Sequence, residues 1–117
     1  MTGRMIKNLI EVRQGDSFNI NLQIFQEGKP VNLTGFSLLM QVRDNDNNLI
    51  FSVYGIGVDT ANGKMALLLT PEHTKIAVGD YKTDIQLSGS DGSVNTIFPA
   101  NVNQVAVFRI TPQITEA

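Results

Sequence analysis

The residues best equipped for chemistry in this 117-residue chain are one histidine and a scatter of carboxylates. His73 is the sole histidine and follows Pro71-Glu72. A general base or a catalytic triad needs a nucleophile and an orienting acid that converge on the imidazole. No G-x-S-x-G or comparable nucleophile turn occurs, so His73 reads as a corner residue. With no cysteine beside it, a zinc site is equally poorly supplied. Asp44, Asp46 and Asn48 place oxygen ligands at alternate positions, as the opening of a calcium loop does. The pattern then fails, because an EF-hand needs glycine where Leu49 stands, a bidentate glutamate where Gly55 stands, and helices on both sides. A solvated hairpin turn is the reading, with weak calcium binding at Asp44 and Asp46 as its alternative. Asp59, Asp80, Asp84 and Asp91 fall in turns or on outward strand positions. Two of them could face each other as glycosidase carboxylates do, but no Trp and two Tyr give no aromatic cleft for sugar rings. Arg13-Gln14-Gly15-Asp16 is not an integrin-type RGD, since a residue intervenes. Catalytic, cofactor-binding and metal-binding residues are therefore assigned to none, and the chain reads as a non-enzyme.

The elements that would position any site are strands. In Leu67–Leu87 an apolar run stops at Thr70-Pro71 and restarts at Gly79-Asp80-Tyr81 in strict alternation. Proline lacks only an N–H that would be unpaired at the first position of a helix, so Thr70-Pro71 predicts one helical turn near Pro71–Lys75. Beyond it, Tyr81, Thr83, Ile85 and Leu87 point one way and Lys82, Asp84, Gln86 and Ser88 the other. A tyrosine at the start of such a strand is a device of immunoglobulin-like sandwiches, in which its hydroxyl ties the corner down. Tyr81 is accordingly expected to be a structural tie.

Elsewhere Phe18, Ile20, Leu22 and Ile24 alternate with Asn19, Asn21 and Gln23, and Phe36, Leu38, Met40 and Val42 share a face. Leu49, Phe51 and Val53 return as the second strand of a hairpin. Leu33, in the link Val31–Gly35, can plug the end of the core. Further strands are expected at Lys64–Thr70, Val94–Phe98 and Gln104–Ile110. Turn signals recur about every eight to twelve residues, which is sandwich or barrel spacing. No segment keeps helical periodicity beyond two turns, so no crossover helices exist to build a parallel sheet. The expectation is an all-β, Ig-like antiparallel β-sandwich of about seven to nine short strands, a single domain over residues 1–117 with a loose start at 1–4 and a polar tail or linker at 111–117.

Nine Lys and Arg against eleven Asp and Glu give a net charge of −2, with no basic block to neutralise phosphates, so nucleic acid is not an expected partner. No apolar run is long enough to span a bilayer. The absence of cysteine fits assembly in a reducing cytoplasm.

Apolar residues on outward phases point to a protein partner instead: Phe25, Leu39, Ile50, Tyr54, Leu68 and Ile97. Met5–Val12 reads as one strand with apolar residues on both sides, so Ile6, Leu9 and Ile10 join the candidate contacts, and the segment is cheap to donate to a neighbour's sheet. On that reading, deleting Met1–Ile10 leaves a folded domain.

Several pieces then line up in order: Arg13-Gln14-Gly15-Asp16 before Phe18-Asn19-Ile20-Asn21-Leu22, then Gly28-Lys29-Pro30-Val31-Asn32-Leu33-Thr34-Gly35, Leu69-Thr70-Pro71-Glu72, Gly79-Asp80-Tyr81 and Asp91-Gly92. This order, from about Glu11 to Ile110, resembles the N-terminal domain of the phage baseplate upper protein family, from tail and receptor-binding assemblies of phages and prophages of Gram-positive bacteria. The resemblance implies an Ig-like sandwich that attaches a receptor-binding or fibre subunit to the tail hub, with no catalytic residues to carry over. Its implied partners are other tail or baseplate proteins, with a homo-oligomer as a further expectation. The implied location is the virion tail, after assembly in the bacterial cytoplasm. An Ig-like adhesion or surface-display module of a bacterium is the alternative, and a carbohydrate-binding sandwich the next.

Overall fold

The computed structural model describes residues 4–6, 8–99 and 105–113. Among them the chain forms β1 (Arg4–Ile6), β2 (Leu9–Arg13), β3 (Phe18–Gln23), β4 (Phe25–Gln26), β5 (Lys29–Pro30) and β6 (Ser37–Arg43). β7 (Leu49–Tyr54), β8 (Ile56–Asp59), a 3-10 turn at Thr60–Asn62, β9 (Lys64–Leu69) and the single-turn helix α1 (Pro71–Thr74) follow. β10 (Gly79–Ser88), β11 (Val94–Phe98) and β12 (Ala106–Thr111) complete it.

These strands make an all-β, Ig-like sandwich. The larger, seven-stranded sheet runs β1-β2-β12-β10-β6-β7, with β11 also pairing β10. The smaller runs β3-β9-β8, and β4 and β5 form a separate hairpin. Period-two alternation is the cause: the apolar half of each strand has to leave water, and two such faces cover each other. Ile10, Val12, Leu38, Met40, Val42, Ile85, Phe108 and Ile110 from the larger sheet join Phe18, Ile20, Met65, Leu67 and Leu69 from the smaller in one buried cluster. Leu33, fully buried, belongs to the same cluster, and its N–H donates to the Thr60 carbonyl at 2.8 Å.

Three details differ from the sequence reading. Met5–Val12 is not one strand but an antiparallel hairpin, with Arg4 opposite Glu11, Met5 opposite Ile10 and Ile6 opposite Leu9. The sandwich is not wholly antiparallel, because β2 runs parallel to β12, with Ile10 opposite Phe108 and Val12 opposite Ile110. The two final strands are separate, as the sequence reading has them, and they share β10: β11 takes its Ile85–Ser88 end and β12 its Gly79–Thr83 end. Arg4 lies in β1 and Thr111 in β12, so neither belongs to a loose end. The expectations for residues 1–3 and 114–117 fall outside the described residues.

Tight turns set the registers. Glu27 and Gly28 both have positive φ, +53° and +79°, which is the turn a two-residue hairpin needs. At Gly63 (φ +75°) a Cβ would stand 2.6 Å from the Ile24 carbonyl oxygen, so the 3-10 turn can pass this point only with glycine.

Candidate interaction surface

The polar side chains singled out for chemistry are held in structural roles. His73 Nδ1 accepts a hydrogen bond from the Thr70 backbone N–H at 3.0 Å, closing the start of α1. Its ring stacks on Phe51 with centroids 5.1 Å apart, and Phe51 meets Phe108 edge-on at 5.6 Å. Thr74, fully buried, donates to the Asp16 carbonyl at 2.7 Å, and Gln14 donates to the Ile76 carbonyl at 2.8 Å. Together they fasten the corner to the turn between β2 and β3.

In the Asp44–Asn48 turn, Asp44 Oδ1 accepts from the N–H groups of Asp46 and Asn48, both at 2.9 Å, and Oδ2 accepts from the Asn48 amide at 3.2 Å. The Asn48 N–H bond is the main reason that the Asp44 carboxyl is held below its usual pKa. Both oxygens thus serve the turn. Among the described residues no group of His, Cys, Asp or Glu has a metal-holding arrangement.

The larger sheet's outer face is where exposed side chains converge. One row crosses β1, β2, β12 and β10 as alternating charges. Arg4 Nε lies 2.9 Å from Glu11 Oε1, Arg109 Nη1 3.7 Å from Glu11 Oε2, and Arg109 Nε 2.7 Å from Asp80 Oδ1. Arg109 also bonds Asp80 Oδ2 at 3.2 Å, a two-pronged contact that lowers the Asp80 pKa and raises that of the guanidinium. Further along, Lys82 stands opposite Arg43 and Asp84 opposite Gln41. Here a shallow depression is lined by Gln41, Arg43, Asn47, Lys82, Thr83 and Asp84. Partial burial raises the Asp84 pKa, and the Arg43 charge only partly opposes that.

Beyond the charges the face turns apolar. Leu39 lies opposite Tyr54, with Gln86 on its other side. Ile50 shares the outward phase of β7 with Tyr54. Leu39 and Tyr54 are brought together, and Tyr54 (71% exposed) is the more open, whereas Ile50 lies further along β7 at the register shift, beyond Ser52.

The other candidates are dispersed. Phe25 is exposed on the β4–β5 hairpin, and Leu68 is exposed on the smaller sheet. Ile97 packs against the core. Leu9 lies half-buried at the opposite end of the face, beside Val107. The Ile6 side chain is outside the described residues.

Ile10 needs correction, because its side chain is fully buried in the core, where it cannot meet a partner. The idea that Met5–Val12 is a spare strand fails with it. β2 is held between β1 and β12, and its inward residues Ile10 and Val12 are both 0% exposed.

Sequence reasoning missed the charge row altogether. Arg4 and Glu11 share one hairpin, but Asp80 and Arg109 lie far from them in the sequence, and only the parallel β2–β12 register brings Glu11 to Arg109.

Taken together, fold and surface define an Ig-like sandwich that offers a broad sheet face. The chain belongs to the family of BppU N-terminal domains, whose model matches residues 2–104. It is thus a phage baseplate-associated structural domain of the virion tail. Its fold is similar to that of the N-terminal domain of phage TP901-1 ORF48, with a TM-score of 0.52 at 17% identity over 88% of this chain and 82% of that one. It is similar also to CopC from Methylosinus trichosporium OB3b, with a TM-score of 0.51 at 18% identity over 92% of this chain and 87% of that one. At such identities the likeness is one of fold alone. No curated protein sequence matches the chain.

Proposed function

We propose that this domain attaches a receptor-binding or fibre subunit to the hub of a phage tail, as a non-enzymatic adaptor that works by surface complementarity. The observation that carries the reading is the larger sheet's outer face, where Leu39 and Tyr54 meet in register, with Gln86 on the other side of Leu39 and Asp84, Lys82 and Arg43 further along the same strands. An apolar patch rimmed by polar groups is the usual anatomy of a protein contact. The neighbouring charges would set orientation and exclude wrong partners more than they add affinity. Assembly in the bacterial cytoplasm fits a chain without cysteine.

The test is co-expression with the hub and fibre proteins encoded in the same phage or prophage, followed by a mass measurement in solution. A complex that survives purification and is lost in Leu39→Asp, with the variant's melting temperature retained, is the expected result. Failure of the wild-type chain to form a complex with either protein would overturn the proposal.

A further inference from the structure

We infer that Asn62 is a modification site, where spontaneous deamidation proceeds only while the corner between β8 and β9 is open and is held back by the closed fold. Asn62-Gly63 is the one Asn-Gly pair in the chain. Asparagine is a thermolabile side chain, and a following glycine makes it more reactive, because no Cβ obstructs the approach. In the reaction the Gly63 N–H gives up its proton to base and the nitrogen attacks Asn62 Cγ. The N–Cγ bond forms, the Cγ–Nδ2 bond breaks and ammonia leaves, which closes a succinimide ring. Water then adds to one of the two ring carbonyls. The ring opens to aspartate or to isoaspartate, in which the main chain runs through Cγ.

The fold opposes the first step at both reacting groups. Asn62 ends the 3-10 turn with its side chain open to water, but Gly63 is buried. The Gly63 N–H donates to the Thr60 carbonyl at 3.0 Å, so base reaches its proton only after that bond breaks. The Gly63 carbonyl accepts from the Ile24 N–H at 2.9 Å, which fixes the same residue from the other side. The amide under attack is held as well. Asn62 Nδ2 donates to Asp59 Oδ2 at 2.9 Å, and the Asn62 carbonyl accepts from Gln23 Nε2 at 3.1 Å. Nitrogen and Cγ therefore meet only in an opened corner.

The products do not fit where the reactant did. A Cβ on Gly63 would stand 2.6 Å from the Ile24 carbonyl oxygen and 2.9 Å from that of Val31, so this point of the chain has no room to spare. Isoaspartate inserts an extra carbon into the main chain directly before it, and the corner has to shift to take it in. Either product also sets a carboxylate beside that of Asp59, where an amide donor stood. The Thr60 carbonyl accepts from the Leu33 N–H at 2.8 Å too, so a displaced turn loosens the plug of the core. Deamidation is thus one-way: an opening that lasts long enough to react leaves a corner that closes less well. A virion domain is not renewed after assembly, so this protection bears on how long it stays intact. The inference goes beyond the attachment reading and stands independently of it, since it concerns the chain alone.

The test uses the full chain, incubated in mildly alkaline buffer and, in parallel, in concentrated guanidinium chloride. Peptide mass mapping follows the mass increase at Asn62 that marks loss of its amide. The folded chain should deamidate there at least about tenfold more slowly than the unfolded chain, because reaction has to await a local opening. Asp59→Ala frees the amide and should react several-fold faster than the wild type in buffer but at the same rate in denaturant. That pair of rates separates a hold on the amide from a change in its intrinsic reactivity. Equal rates for the folded and unfolded wild type, no reaction at Asn62 in denaturant, or a folded Asp59→Ala no faster than the wild type would each overturn the inference. If Asp59→Ala fails to fold, the wild-type comparison decides.

Discussion

The hydroxyl of Tyr81 donates a hydrogen bond to the carbonyl oxygen of Ala77 at 2.6 Å, which spans the corner between α1 and β10. Partial burial, with a smaller contribution from the negative charge of Asp44, pushes the phenol pKa above its ordinary value, so the proton needed for the bond is retained. The bond fixes where β10 begins, and β10 is the strand to which β6, β11 and β12 all pair. Tyr81→Phe keeps the ring and removes only the donor. It should cost about 1 kcal/mol, the net worth of one such bond. Urea unfolding of the two proteins measures this, and equal midpoints would show that the bond contributes nothing.

His73 holds the other end of the same corner. Its Nδ1 takes the Thr70 N–H, and its ring covers Phe51, so His73→Ala removes both the cap and the stack. The expected cost is about 1–2 kcal/mol, from a lost capping bond together with lost ring contact. His73→Phe should recover the stacking part alone. A thermal melt of the three proteins separates the contributions, and a wild-type melting temperature in His73→Ala would remove both.

The corner was readable because its signals are local: proline after a capping residue, glycine before a strand, and alternation that continues through Leu87. The same holds for Leu33 and for the hairpin turn at Glu27-Gly28. Met5–Val12 was misread because residues 7 and 8, Lys and Asn, lack the glycine or proline that usually marks a reversal. A hairpin of two short strands therefore presented itself as one two-faced strand. Its parallel pairing with β12 joins the two ends of the chain, and no local pattern encodes such a contact. The Arg4–Glu11–Arg109–Asp80 row depends on that pairing and was hidden for the same reason. Of the candidate surface, Leu39, Ile50 and Tyr54 were legible as apolar residues on outward phases, but the meeting of Leu39 with Tyr54 required the β6–β7 register.

Ile10 tests the corrected role of β2. It packs with no exposure against a core that includes Phe108, its neighbour across the parallel pair. Ile10→Ala should cost about 2–4 kcal/mol, the range for a buried aliphatic side chain truncated in place. Removal of residues 1–10 deletes β1 and the start of β2, exposing the edge of β12, and should abolish cooperative unfolding. A truncated protein with a sharp thermal transition near that of the whole chain would return β2 to the status of a dispensable strand.

Asp80 and Asp84 lie on the same face of β10 and should affect stability in opposite directions. The Asp80 pKa is lowered, chiefly by its hydrogen bond from Arg109, so its contribution is present above the ordinary carboxylate pKa and is lost as pH falls through the lower folded value. Asp80→Asn should therefore destabilise the protein at pH 7, and the difference should disappear in strong acid. The Asp84 pKa is raised, chiefly by burial, so the folded state holds its proton more tightly than the unfolded chain does. Relative stability from Asp84 is full below the ordinary pKa and lost as pH rises through the folded value. Asp84→Asn should thus stabilise at pH 7 and lose that advantage toward pH 3. Because Asp80 is exposed and Asp84 only half-buried, the effects will be small, and high salt should shrink the Asp80 effect further. Chemical denaturation of the wild type and both variants between pH 3 and pH 7 measures the two trends. Parallel curves for the two variants would show that Arg109 and burial do not act on these carboxylates in opposite senses.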